Sequence, residues 1–329
     1  MRNFLLFLTS LFIGIGLFLW IGKTVGWQEI KNTLLVFTGW QGMVMLLLTL
    51  SIMIIGNLKW KEILRGEEIE ISFWQLFKPY LAGFAIMFLA PILFWIGEVF
   101  RSFILKETNQ IPWTKATASV IIDRVLEWTT NLVIIFLGAL FFLFKIGLPP
   151  MNLRLIFGGT LFLFTASILL FYFKTLKRES LIKTFIGVFN HRLDSKPLET
   201  EKEIFDFFKF KKKSLQRAFY LSFARVTIMY LRVWLLIEFL GQKPRFLPVL
   251  SVLGFSYLAA MVPIPTALGS HEAIQIFAFG GLGWGISVAT AFTTIIRGTE
   301  LILALTGIII SFRLAILLFK NNLVNKLEK

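Results

Sequence analysis

Apolar residues fill this chain in runs far longer than the core of a soluble domain requires. Six runs, at about 4–22, 36–56, 114–145, 153–173, 217–240 and 284–319, carry few charges. Each is close to or longer than the roughly 20 residues that cross ~30 Å of hydrocarbon as a helix. The two longest must tilt, kink or extend beyond the bilayer. Two further apolar stretches, 73–110 and 246–281, are broken in mid-run by Pro and Gly. An opened backbone at membrane depth is tolerated only against other protein, so both read as re-entrant or broken helical hairpins. The pattern predicts an all-α polytopic membrane protein, a single domain over 1–329 with about six spanning helices and two such hairpins.

The charges inside these runs repeat. Pro91, Gly97 and Glu98 are followed by Arg124 and Glu127; Pro265, Gly269 and Glu272 are followed by Arg297 and Glu300. The Pro-to-Arg gap is 33 residues in the first copy and 32 in the second, and both copies end in Arg-x-x-Glu. The halves run from about 73 to 145 and from about 246 to 319. Three predicted crossings separate the two broken stretches, an odd number, so the second hairpin enters from the opposite face. An inverted repeat is therefore expected, the arrangement used for alternating access around a midplane site.

Composition agrees: 57% of the 329 residues are hydrophobic and 16% charged. The net charge of +15 would suit nucleic acid, but the basic residues lie mainly between apolar runs, where the positive-inside bias and anionic headgroups explain them. No nucleic-acid partner is expected. With 174–217 inside, 22 Lys and Arg gather on that side against six on the other, or 10 against 6 without that segment. The expected location is the cell (cytoplasmic or inner) membrane, multi-pass, with both termini cytoplasmic. Segment 174–217 holds twelve basic and six acidic residues and reads as a solvated loop with an amphipathic piece lying on anionic lipid, or as a docking segment. The run 4–21 reads as a retained first helix. There is no Cys, which excludes disulfides and thiol chemistry.

Pro91 lacks the N–H to continue a helix and Gly97 permits a tight turn, so the backbone is expected to break just before Glu98. Glu98 with Arg101, and Arg124 with Glu127, are three apart and share a helical face; Asp123 and Glu127 are four apart. In the second copy Pro263, Pro265 and Gly269 open the backbone. Free N–H groups at a helix starting near Ser270 would favour an anion, for a lipid its phosphate. Arg297 is the candidate clamp, since its planar fork binds two oxygens at once. The plainer alternatives are ion pairs locking helices together and, for Glu272, a capping carboxylate. Arg225 and Arg232, seven apart, put a polar face on 217–240, with Glu238 near its outer end. His271 reads as an interior hydrogen-bonding residue. Gly16 to Thr24 misses the phosphate-loop spacing, and His271-Glu272 lacks a second zinc-binding His, so neither cofactor nor metal is expected. No serine-hydrolase elbow occurs.

At Pro91-Ile-Leu-Phe-Trp-Ile-Gly97-Glu98-Val-Phe-Arg101, Ala118-Ser-Val-Ile-Ile-Asp123-Arg124-Val-Leu-Glu127, Pro263-Ile-Pro265-Thr-Ala-Leu-Gly269-Ser-His-Glu272 and Arg297 the chain resembles the lysylphosphatidylglycerol synthase transmembrane-region, or flippase-like, family. The likeness runs through the hydrophobic chain from end to end. It departs at Thr266-Ala267-Leu268, where family members often carry glycines, and at Asp123, where they tend to carry Glu. The resemblance implies a lipid translocase moving aminoacylated phosphatidylglycerol or another lipid between leaflets. The soluble aminoacyl-transferase domain of some members has no counterpart here, so lysyl transfer is not expected.

The function expected is therefore a non-enzymatic flippase for an anionic phospholipid, an aminoacylated phospholipid or a lipid-linked precursor. Its substrate-facing residues would be Glu98, Arg101, Asp123, Arg124, Glu127, Gly269, Glu272, Arg297 and Glu300. An intramembrane headgroup transferase with Glu98 or Glu272 as base, and a non-transporting scaffold or regulator, remain alternatives. A homo-oligomer is compatible with the sequence.

Overall fold

The computed structural model describes residues 39–89, 95–147, 151–186, 195–261 and 267–327. The run 4–22 and the three prolines Pro91, Pro263 and Pro265 lie outside the described residues. Every regular element described is a helix: α1 (Trp40–Gly66), α2 (Phe73–Leu89), α3 (Ile96–Asn109), α4 (Trp113–Ile146), α5 (Met151–Lys177), α6 (Leu181–Ile186), α7 (Ser195–Phe210), α8 (Lys212–Phe239), α9 (Phe246–Met261), α10 (Ala267–Gly281) and α11 (Ile286–Leu327). Five of them, α1, α4, α5, α8 and α11, are long and apolar enough to cross a membrane. These match five of the six expected spans.

Local chemistry sets the element boundaries. Ser72 and Gln75 cap α2 reciprocally: Gln75 N–H donates to Ser72 Oγ at 3.4 Å and Ser72 N–H to Gln75 Oε1 at 3.4 Å. Gln110 closes α3 in the left-handed conformation, φ 54°. Within each expected hairpin the helices fall on either side of the proline positions, α2 with α3 and α9 with α10, and each pair packs together. Gly97 plays another part than a turn. It lies inside α3, where a Cβ would collide with the carbonyl of Gly83, so it allows the α2 and α3 backbones to touch.

Each hairpin's first helix packs on the long helix that follows the other hairpin: α2 on α11 and α9 on α4. Glycine makes both seams close. A Cβ on Gly307 of α11 would strike the Leu81 carbonyl of α2, and one on Gly138 of α4 would lie 2.9 Å from the Leu250 carbonyl of α9. α1 and α8 pack on each other along their length and join the two crossed pairs. α5 is the most peripheral span, with Leu155, Phe162, Leu163, Leu169 and Phe173 all exposed.

Two expectations change. The run 36–56 continues as helix to Gly66, so Lys59 is not a loop charge, and Arg101 is likewise buried. Without these two, the short segments hold 8 basic residues against 6, a thinner basis for orientation. Segment 174–217 is mostly helical, and its amphipathic piece, α7, packs on protein rather than lying on lipid. Ile204 and Phe207 pack with Ile63 of α1, with Ala118, Ile122 and Leu126 of α4, and with Ala218 of α8. The apolar face that the sequence offers to a membrane is used against the bundle.

Where α7 meets the end of α1, Phe207 fills the space left by Gly66, whose absent Cβ would lie 2.7 Å from the ring. Beside it, burial and then the neighbouring Glu203 push the Glu67 carboxyl up to about 7, against the pull of Lys115 and Lys211. A carboxyl raised on folding stabilises in its protonated form. That contribution is complete in acid and is lost as pH rises through about 7. Amide-exchange protection of α7 is expected to fall across this range, and Glu67→Gln to flatten the dependence. Protection that rises with pH, or an unchanged profile in the variant, would contradict the assignment.

Candidate functional site: a buried charge cluster

Four helices bring seven ionisable side chains together inside the bundle. α1 supplies Lys59, α3 supplies Glu98 and Arg101, α4 supplies Asp123, Arg124 and Glu127, and α8 supplies Arg225. Asp123 is fully buried and accepts hydrogen bonds from Arg101 Nη1 at 3.1 Å and Nη2 at 3.0 Å. Lys59 Nζ lies 2.9 Å from the Asp123 carboxylate and donates to its main-chain carbonyl at 2.9 Å. Glu127 meets Arg225 at 2.6 Å, Arg124 at 3.0 Å and Lys59 at 3.7 Å. Glu98 pairs with Arg101 at 3.0 Å and with Arg124. Among the described residues four cations thus face three carboxylates, a surplus of one positive charge.

The cluster has a locked floor and an open rim. The Arg101 guanidinium sits 4.1 Å from the Trp60 ring centroid and 4.7 Å from that of Tyr80. Such contacts gain strength where water is excluded. Trp60 N–H donates to Ser119 Oγ at 3.1 Å, which fixes the ring. Two glycines make the space: a Cβ on Gly83 would lie 2.5 Å from Arg101 Cγ, and one on Gly56 would collide with the Tyr80 hydroxyl. Lys59 and Arg101 side chains are each 1% exposed, whereas Arg124, Arg225 and Glu127 keep 12%, 11% and 10%. A ligand reaching the cluster meets Arg124, Glu127 and Arg225 first.

α8 also reaches the second copy. Arg232 Nη2 bonds Glu300 of α11 at 3.1 Å, and its Nη1 bonds Thr49 of α1 at 3.1 Å. Arg225 therefore engages the Arg-x-x-Glu of the first copy and Arg232 that of the second. Arg297 is half-buried on α11, one turn before Glu300. Gly269 and Glu272 fall near the start of α10, and the Glu272 side chain lies outside the described residues. The Nε donors of Arg225 and Arg232 are buried without an acceptor among the described residues.

Of the expected site residues, Glu98, Arg101, Asp123, Arg124 and Glu127 form one connected group, while Glu300 belongs to a separate pair. Sequence reasoning missed Lys59 by ending the first described span too early. A spacing signal was there to find it: Lys59 precedes Glu98 by 39 residues, and Arg232 precedes Glu272 by 40. Lys59 and Arg232 both lie on the paired helices α1 and α8, and each contacts the Glu of an Arg-x-x-Glu, Glu127 and Glu300 respectively.

Removing one member of a buried ion pair strands its partners, at a cost of about 3–5 kcal/mol. Asp123→Asn is expected to lower the thermal midpoint sharply in detergent, and adding Lys59→Met to recover part of the loss, since the stranded ammonium is then gone. A double variant less stable than the single would show that the pairing does not carry this energy.

The family's sequence model, described as the lysylphosphatidylglycerol synthase TM region, matches residues 7–307. A UPF0104 membrane protein of Methanocaldococcus jannaschii is 26% identical over 275 residues, covering 78% of this chain and 79% of the relative. A UPF0104 membrane protein of Pyrococcus horikoshii is 24% identical over 263 residues, covering 74% and 78%. No solved structure matches the chain. The matched residues include every described member of the cluster, and the chain belongs to the lysylphosphatidylglycerol synthase transmembrane-region family.

Proposed function

We propose that the protein moves an anionic lipid between membrane leaflets, its headgroup phosphate passing over Arg124 and Arg225 while the tails stay in lipid. The observation that carries this reading is the surplus cation of a cluster built on α3 and on three helices long and apolar enough to cross a membrane, α1, α4 and α8. A net charge held there costs several kcal/mol, and a singly charged phosphate bound at the rim would neutralise it. The buried Arg225 and Arg232 Nε groups have no acceptor among the described residues, and phosphate oxygens would supply one.

We further propose that the two halves, about 73–145 and 246–319, are inverted copies that rock against each other. Support comes from the crossed packing of α2 on α11 and α9 on α4, and from the matching contacts of Lys59 and Arg232. In this mechanism Glu127 and Glu300 hold α8 through Arg225 and Arg232 and exchange those partners as the halves rock. Both termini face the cytoplasm. Membership of a family named for lysylphosphatidylglycerol synthase adds a lipid context. For the transferase alternative, one of the two candidate bases, Glu98, already has guanidinium donors on both carboxylate oxygens, which disfavours it as a proton acceptor.

Reconstitution with fluorescent phosphatidylglycerol tests the proposal through dithionite quenching of the outer leaflet. Arg124→Gln, Arg225→Gln, Glu272→Ala and Arg297→Ala are each expected to slow leaflet exchange about tenfold or more, a change of ~1.4 kcal/mol or more in the barrier. Variants that fold yet exchange lipid at the wild-type rate would remove the mechanism.

A further inference from the structure

Lys59 is the only cation of the cluster whose charge can be removed. Arg101, Arg124 and Arg225 are guanidiniums, which stay protonated inside proteins, whereas an amine gives up its proton readily when buried. In the second half the corresponding contact to the Glu of Arg-x-x-Glu is made by a fixed charge, Arg232. The first half holds a titratable amine at that place.

The surroundings define what that proton does. Lys59 is fully buried on α1. α4 presents Asp123 at 2.9 Å and Glu127 at 3.7 Å; α8 presents Arg225, bound to the same Glu127. α3 presents Arg101, bound to the same Asp123, and α2 presents Tyr80 over that guanidinium. Arg124 closes the ring from α4. α11 also packs on α1, but its Glu300 is held by Arg232 beside Thr49, ten residues away along α1, or about 15 Å of helical rise.

With no anion bound, these groups carry one positive charge too many. The second half does not correct the balance: Arg232 and Arg297 add two cations, Glu272 and Glu300 two carboxylates. Two events discharge the cluster, loss of the Lys59 proton or arrival of an anion. The neutral amine keeps two N–H donors, enough for the Asp123 carboxylate and carbonyl that the ammonium already contacts. Deprotonation therefore strands neither acceptor.

We infer that Lys59 couples the binding of a phosphate-bearing anion to the uptake of one proton, making the protein a proton–anion symporter. The inference rests on the anionic-lipid reading of the site. When the phosphate leaves, Lys59 gives a proton to water on the side then open, and the N–H bonding pair remains on nitrogen as a lone pair. When the next phosphate binds, the amine takes a proton from water on the loading side. One proton crosses with each anion, so a pH gradient can drive lipid movement without nucleotide hydrolysis.

The test uses the full chain in detergent with dihexanoylphosphatidylglycerol as the probe, a soluble phosphodiester whose charge does not change near neutral pH. Binding heats in buffers of differing ionisation enthalpy report the protons taken up per lipid. Wild type is expected to take up close to one proton, and Lys59→Arg, which keeps the charge and fixes it, to bind the probe and take up none. Lys59→Gln, which keeps a donor and lacks the charge, is expected to bind more weakly and also without uptake; thermal unfolding reports the folding of both. Binding by wild type without uptake, or uptake retained in either variant, overturns the inference and leaves the lipid reading standing. Absence of probe binding by wild type contradicts the lipid reading itself, and the inference falls with it.

Discussion

An ionised carboxylate with no water around it must be met by cations, and Asp123 is such a carboxylate. Arg101 reaches it from α3 with both terminal nitrogens, and Lys59 reaches it from α1. Because neither partner is local in sequence, satisfying this one side chain fixes where three helices must meet. The rest of the floor follows from accommodating Arg101: Trp60 and Tyr80 bracket its guanidinium, and Gly56 and Gly83 give up their side chains to make room. Glu98 and Glu127 then carry the charge pattern outward to Arg124 and Arg225 at the rim.

The crossed packing of the halves gives this cluster a mechanical setting. In lipid, helices associate through close packing and polar contacts rather than by escaping water, which is why glycines mark the seams between α2 and α11 and between α4 and α9. α8 is tied to both halves by ionic contacts instead, Arg225 to Glu127 and Arg232 to Glu300. A glycine seam is fixed by shape, whereas an ion pair can exchange partners. In the proposed mechanism, motion between the halves is therefore concentrated where α8 meets α4 and α11. The same contacts provide the cationic surface that an anion would cross.

Much of this was legible in the chain. Five spans, the paired interruptions and the i, i+3 partners Glu98–Arg101 and Arg124–Glu127 all follow from periodicity and spacing, because helical geometry makes them local. Lys59 was not legible in this way. Its partners lie 64 and 68 residues away, and its neighbours Lys61 and Glu62 make the end of α1 look like a polar loop. The role of Gly97 was misread because a glycine six residues after a proline suggests a turn, while the need it serves, contact with Gly83, lies across a helix pair. α7 was misplaced for a related reason. An amphipathic helix advertises an apolar face but not what covers it, and here Ile204 and Phe207 turn toward α4.

The central claim is that the charge cluster opens in turn to each side of the membrane. The absence of native cysteine makes this directly measurable. Thr130 is buried on α4, one turn beyond Glu127, and a cysteine placed there reports water access to the cluster. In oriented vesicles, a membrane-impermeant thiol reagent should label Thr130→Cys from either face, and added anionic lipid should shift the balance between the two. Labelling confined to one face, or absent from both while the variant remains folded, would contradict the account.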